Sequence, residues 1–351
     1  MKDLGALEPK KILLRMPNWV GDLVMATPVI EDIKTRYPDS ELTVMCKSPI
    51  SEILKHDPLI DELFTFKKLS TSVRRLQNRN IIRKLHTGKY DLGILLTNSL
   101  SSAWWVWQAD IPYRLGYTGH FRSSLLTHRM DFSENKQTQH LVLTYKQLLR
   151  PLGIEPSDTL PRLVVTEEEK LATKSLLKRF NITDDHTIIG INPGAAYGSA
   201  KCWLPERFRD LALRLLDYDE KVRVIFFGDH NGAELVKKIT KNLPSRVVNF
   251  AGLTTLRELM SLIQACDSFL TNDSGPMHIA DALGVPLLAL FGSTNDIATG
   301  PFLQKNILKK DVECSPCYKR VCPIDFRCMT RIQTDEVFER LLQTIKQKSH
   351  V

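Results

Sequence analysis

Three stretches of the chain combine glycine, small polar residues and one charged side chain in the way a ligand-handling strand-to-helix junction does. The first is Pro17-Asn18-Trp19-Val20-Gly21-Asp22, which puts a carboxylate at a helix start. There Asp22 either gains from the helix dipole or serves as a general base toward a substrate hydroxyl. The second runs Asn192-Pro193-Gly194-Ala195-Ala196-Tyr197-Gly198-Ser199-Ala200-Lys201. Its small residues, Gly194 and Ser199 among them, let the backbone approach a ligand closely, and Lys201 adds a cation; together they suit a diphosphate. The third is Thr271-Asn272-Asp273-Ser274-Gly275-Pro276-Met277-His278. Its free amides, the Ser274 hydroxyl and a helix dipole form an anion cradle. His278 either faces that cradle or is a core histidine. Neither a P-loop nor a G-x-G-x-x-G fingerprint occurs in the chain, which counts against a dinucleotide-dependent dehydrogenase or epimerase.

Two other patterns bear on metals. Asp217-Tyr218-Asp219 spells D-x-D but precedes a strand, at the wrong end of a sheet for a ligand, so a surface turn is expected. Cys314, Cys317, Cys322 and Cys328 crowd one proline-containing loop, with a spacing that fits no common zinc motif. Zinc, transient redox chemistry and a plain structural loop all stay open for it.

The elements that must position these junctions follow from the hydrophobic pattern. Apolar strands are expected at Lys11–Met16, Leu42–Cys46, Leu63–Phe66 and Leu92–Leu96, and again at 187–192, 222–227, 246–250, 268–272 and 286–291. Helices separate them, so the sheets are parallel with right-handed crossovers. Pro28 should break the first helix, and Trp104, Trp105 and Trp107 should pack in the core. Residues 154–161 read as a linker. The division is therefore 1–160 and 161–330, followed by a helical segment, 331–351. Doubly wound sheets bind ligands at the carboxyl ends of their strands.

The chain has 351 residues, 43% hydrophobic and 25% charged, a globular composition. No apolar run approaches the roughly 18 residues of a membrane span, and the first ten residues lack a secretory apolar core. A cytosolic protein is expected. The formal charge is +8, with eight Lys and Arg and no acidic residue from Lys67 to Lys89. Val73, Leu76, Ile82 and Leu85 would form the buried side of that stretch. Such a field attracts anionic partners, but no nucleic-acid motif accompanies it.

The pieces "PNWVGDLVMATPVIEDI", "NPGAAYGSAKCWLPERF", "TNDSGPMHIADALGVPLLALFGST" and "CSPCYKRVCPIDFRCM" together resemble the ADP-heptose:lipopolysaccharide heptosyltransferases, over nearly the whole chain. The resemblance implies a GT-B fold: α/β, two Rossmann-like doubly wound domains with parallel sheets facing across a cleft. It implies an acceptor-binding N-terminal domain, a donor-binding C-terminal domain, inversion at the anomeric carbon, and no metal or other cofactor. Asp22 falls on the family's base and Lys201 on a lysine at the donor diphosphate. Asp273, Ser274, Gly275 and His278 fall on the donor-binding turn, beside Gly194 and Ser199. Asn18, Arg114 and Arg122 are expected on the acceptor side. The implied partners are ADP-heptose, an anionic lipopolysaccharide core acceptor and the inner face of the cytoplasmic membrane, with no nucleic acid. Another acceptor, or a non-catalytic binder, are the alternatives.

Overall fold

The computed structural model describes residues 4–67, 74–131 and 137–348; Lys68 and Val73 of the basic stretch lie outside the described residues. The chain divides into two compact units between Val164 and Val165. The first unit opens with β1 (Lys11–Arg15), α1 (Val20–Met25), α2 (Pro28–Arg36) and β2 (Glu41–Lys47). Then come β3 (Glu62–Phe66), α3 (Arg74–Gly88), β4 (Leu92–Leu95) and α4 (Leu100–Gln108), and after them β5 (Tyr113–Tyr117), β6 (His128–Met130) and α5 (Leu141–Gln147). The six strands form one parallel sheet in the order β3-β2-β1-β4-β5-β6. Ile12, Leu13 and Leu14 are wholly buried in it, as expected for a strand covered on both faces. Each such side chain contributes roughly 1.5–3 kcal/mol.

Pro28 splits the first helical pattern in two: α1 ends at Met25 and Pro28 opens α2, where a missing N–H costs nothing. In α3 the buried side is carried by Ile81 and Leu85, one turn apart, while Arg79, Arg83 and Lys84 face solvent. The tryptophan tract does not pack as a block. Trp105 is buried against Phe66 and donates to Asn78 Oδ1 at 3.0 Å, but Trp107 stays largely exposed. Residues two apart point to nearly opposite sides of a helix.

The segment 154–161 is not a free linker. Ser157 and Thr159 donate to Asp32 Oδ1 at 2.6 and 2.8 Å, and the buried Lys146 ammonium donates to their backbone carbonyls. Arg162 then bonds Thr27 and pairs with Asp57 at 2.8 Å, so the chain stays fastened to the first unit almost to its end.

The second unit begins α6 (Glu167–Lys178), β7 (Thr187–Asn192), α7 (Pro205–Tyr218), β8 (Val222–Phe226) and α8 (Ala233–Thr240). It continues β9 (Val247–Asn249), α9 (Leu256–Gln264), β10 (Ser268–Asn272), α10 (Gly275–Ala282) and β11 (Leu287–Phe291). Last come α11 (Asp296–Thr299), β12 (Ile307–Lys309), α12 (Arg327–Thr330) and α13 (Thr334–Lys348). Its parallel sheet runs β12-β11-β10-β7-β8-β9, the same winding as the first. The terminal helix is not a segment apart, because Val337 and Leu341 of α13 are wholly buried in this unit's core. Strand order reverses between β1 and β4 in one sheet and between β7 and β10 in the other. Those are the switch points where adjoining loops part and leave room for a ligand.

Candidate active site

Both loops at the second unit's switch point carry the residues singled out above. β7 ends at Asn192 and β10 at Asn272, and the two buried amides brace the loops that follow. Asn272 donates to Pro193 O at 2.7 Å and accepts from Trp203 N at 3.0 Å. Asn192 donates to Gly194 O at 3.0 Å and to Ser274 Oγ at 3.2 Å. Thr271 Oγ1 lies 2.9 Å from the same Ser274 hydroxyl. Side chains from both strands thereby brace the backbone that follows Pro193. A side chain at Gly194 would meet nothing within 4 Å, so that face of the loop is open. Ser199 is exposed at the start of a short 3-10 turn that ends with Lys201.

Lys201 Nζ donates to Asp273 Oδ2 at 2.5 Å and sits 5.0 Å from the Tyr197 ring centroid. Thr294 Oγ1 donates to the same carboxylate oxygen, also at 2.5 Å. Asp273 is buried and Lys201 nearly so. An ammonium has three donors, so Lys201 can stay on Asp273 and still donate to a phosphate. Ser274 precedes α10 with extended backbone, and its side chain does not cap the helix. The first-turn N–H groups therefore keep their dipole end for an anion. His278 is buried within α10. A cation, a helix start and small-residue backbone thus converge at one switch point, a combination suited to a diphosphate.

The cysteine loop latches this region. Tyr318 N donates to Ser293 O at 2.7 Å and Ser315 Oγ to Gly292 O at 2.6 Å. Tyr197 OH donates to Tyr318 O at 2.8 Å and Ala200 N to Arg320 O at 3.0 Å. Glycine is required at Gly198, where a Cβ would lie 2.3 Å from the Arg320 carbonyl oxygen. Cys314 is exposed, Cys317 and Cys322 are half-buried and Cys328 is buried, all as free thiols. Burial first, and then the neighbouring thiols, push the Cys328 thiol up. Among the described residues no group of three or more His, Cys, Asp or Glu is arranged to hold a metal ion. Of the D-x-D pair only Asp219 lies in the expected surface turn, just past α7, where it accepts from Lys221 N at 2.8 Å; Asp217 is exposed on the last turn of α7 itself.

In the first unit Asp22 stands in the first turn of α1, half-buried, just beyond the carboxyl end of β1 at the switch point. Burial, and next the Asp22 carboxylate, hold the Tyr145 hydroxyl well above its usual range, so the two face each other electrostatically. Asn18 is exposed on the preceding loop and accepts from Arg15 at 2.6 Å. Arg15 was not singled out from the sequence. It is buried, its pKa is lowered to about 10 by desolvation, and it steadies the loop through Met16 O, Met45 O and Asn18.

The two arginines expected on the acceptor side do not stand free for one. Arg122 is wholly buried, and its guanidinium is spent on Thr97 O, Tyr117 O and Asn98 Oδ1. It clamps together the loops after β4 and β5. Arg114 lies near the amino end of β5, where it donates to Ile111 O and to Leu125 O at 2.5 and 2.7 Å. That is the end of the sheet away from Asp22. Exposed apolar side chains mark the Asp22 end instead: Trp19 (56% exposed), Leu100 (47%) and Phe121 (97%) follow β1, β4 and β5, three adjacent strands.

Residues 78–326 match the family model described as glycosyltransferase family 9 (heptosyltransferase). The chain is 32% identical to lipopolysaccharide heptosyltransferase 2 of Escherichia coli strain K12 over 305 residues, 84% of this chain and 86% of that protein. It is 31% identical to lipooligosaccharide heptosyltransferase 2 of Haemophilus influenzae over 313 residues, covering 86% and 89% of the two. The solved structure of E. coli ADP-heptose lps heptosyltransferase II superposes with a TM-score of 0.81 at 29% identity, covering 97% of this chain and 99% of that one.

Proposed function

Because the chain belongs to glycosyltransferase family 9, the heptosyltransferases, and has their GT-B fold, we propose that it moves L-glycero-D-manno-heptose from ADP-heptose to a heptose hydroxyl of the lipopolysaccharide inner core. The donor binds the second unit and the acceptor the first. Asp22 takes the acceptor hydroxyl's proton as that oxygen attacks the anomeric carbon. The new C–O bond forms on the face opposite the diphosphate, whose C–O bond breaks, so the configuration inverts and ADP leaves. Lys201, anchored by Asp273, and the amides after Ser274 take up the negative charge gained by the departing diphosphate. The observation that carries this reading is the Lys201–Asp273 pair beside the uncapped start of α10 at the switch point. The acceptor is an anionic glycolipid, so we also propose that Trp19, Leu100 and Phe121 meet the cytosolic membrane surface.

The test is incubation with ADP-heptose and a panel of defined core acceptors, followed by mass analysis of the products. A gain of one heptose on the mono-heptosylated core, with release of ADP, is expected, and with EDTA present the rate should hold. Transfer only to a heptose-free core would move the activity to the first core position. Complete loss in EDTA, restored by magnesium, would replace the charge-neutralising role of Lys201 with a metal.

A further inference from the structure

The second unit holds a cavity of about 450 Å³ between α6 and α9. It lies at the amino ends of β7 and β10, the opposite end of the sheet from Lys201 and Asp273. Small-molecule sites span about 300–1,000 Å³. Leu177, Ile182 and Ala265 supply apolar wall, and the buried pair Thr173 Oγ1–Ser261 Oγ, at 2.6 Å, adds a polar one. Gln264 is also on the lining, and its Oε1 is buried and accepts no hydrogen bond from the described residues. Such an oxygen favours an occupant that brings an N–H or O–H donor. Lys170, Lys174 and Lys178 stand one turn apart on α6 along the rim. Lys174 pairs with Asp184 and Lys170 with Glu167, while Lys178 has no ion-pair partner among the described residues.

We propose that this cavity is a second small-molecule site, for a compact anion with an apolar body and an N–H donor. The body packs on Leu177, Ile182 and Ala265, the donor meets Gln264 Oε1, and the charge meets the lysine row. The lining also includes Ile188 and Asp267, where Ile188 N donates to the Asp267 carboxylate at 2.7 Å. An occupant would therefore touch the amino ends of the two strands whose carboxyl ends carry the phosphate-directed loops. The proposal does not rest on the transferase reading.

The probe is 1-anilinonaphthalene-8-sulfonate, which joins a fused apolar ring, a sulfonate and an anilino N–H. Fluorescence titration of the full chain should give saturable binding of one probe per chain. Ala265→Phe, which fills the cavity, should abolish it, and the double variant Lys174→Glu/Lys178→Glu should weaken it at least tenfold. Lys201→Ala and saturating ADP, whose own binding is followed by calorimetry, should leave it unchanged. Absence of saturable binding, equal affinity in Ala265→Phe, or displacement by ADP would each overturn the proposal. Should Ala265→Phe fail to fold, Gln264→Leu takes its place: a several-fold loss supports the site, and unchanged affinity in both Gln264→Leu and the double lysine variant refutes it.

Discussion

At the scale of single residues, the proposed reaction gives Asp22 and Lys201 opposite services, one to receive a proton and the other to hold negative charge. A positioned base contributes roughly 10²–10⁴-fold in rate, so Asp22→Asn should lower kcat by that order with ADP-heptose affinity nearly unchanged. Turnover at the parental rate would reduce Asp22 to a helix-start residue. Lys201→Ala removes a charge-assisted contact and should cost at least about 2 kcal/mol, or some 30-fold, in kcat/KM. It also strips a buried carboxylate of its cation, so its melting temperature should fall as well. Lys201→Met/Asp273→Asn removes both charges and should recover stability without recovering transfer, which separates the two roles. Both residues stand out in the sequence because each punctuates a junction of glycine and small side chains, and these variants test the roles proposed for them. Arg122, expected on the acceptor side, is buried instead, because only the folded loops bring three carbonyl and amide oxygens around its guanidinium. Asn192 and Asn272 stood in view inside their motifs, yet their brace exists only once β7 and β10 are neighbours.

At the scale of elements, the long apolar strands at both sheet centres could be read directly, whereas β5, β6 and β12 could not. β6 and β12 have three residues each, and in β5 Tyr113-Arg114-Leu115-Gly116-Tyr117 carries an arginine and a glycine in place of an apolar run. Pairing makes them strands: β6 and β12 lie at sheet edges, and β5 lies between β4 and β6. The segment 154–161 read as a linker from its polar and proline content, and nothing local reveals that Asp32, over a hundred residues earlier, would bind it. Helix packing in the second unit offers a measurable case. Thr166 and Glu169 form a capping box at α6, and Glu169 also receives the Arg257 guanidinium from α9. The Arg257 hydrogen bonds, chiefly, hold the Glu169 carboxyl down at about 2, from an ordinary 4.5. A depressed carboxylate adds stability that is complete above its unfolded pKa and disappears as pH falls through the folded one. Arg257→Ala should therefore destabilise by about 1.5–3 kcal/mol near neutrality. Denaturant melts should show that deficit shrinking below pH 4.5 and nearly gone by pH 2. A deficit of constant size across that range would assign the loss to packing alone.

At the scale of the whole molecule, a charge of +8 favours anionic partners and a salt-sensitive approach to them. No helix of the described residues is long and apolar enough to cross a membrane. Vesicles of anionic phospholipid should then capture the protein at low salt and release it as salt rises. Phe121→Ser removes the most exposed apolar side chain of the three and should weaken capture several-fold, while ADP binding holds. Equal capture of this variant would discharge Phe121 from the membrane contact. The cysteine loop has a different use. Its four sulfurs differ in reach, from the exposed Cys314 to Cys328, packed under Gly292. Their order of reaction with a thiol reagent is thus a built-in clock for unlatching: Cys314 is labelled first, and Cys328 only when the segment lets go of Gly292 and Ser293. Tyr197→Phe deletes one latch bond, worth about 0.5–1 kcal/mol, so mass mapping should find Cys328 labelled two to five times faster. If that rate does not move, Tyr197 is no part of the fastening, and the clock runs on the Ser315, Tyr318 and Ala200–Arg320 bonds.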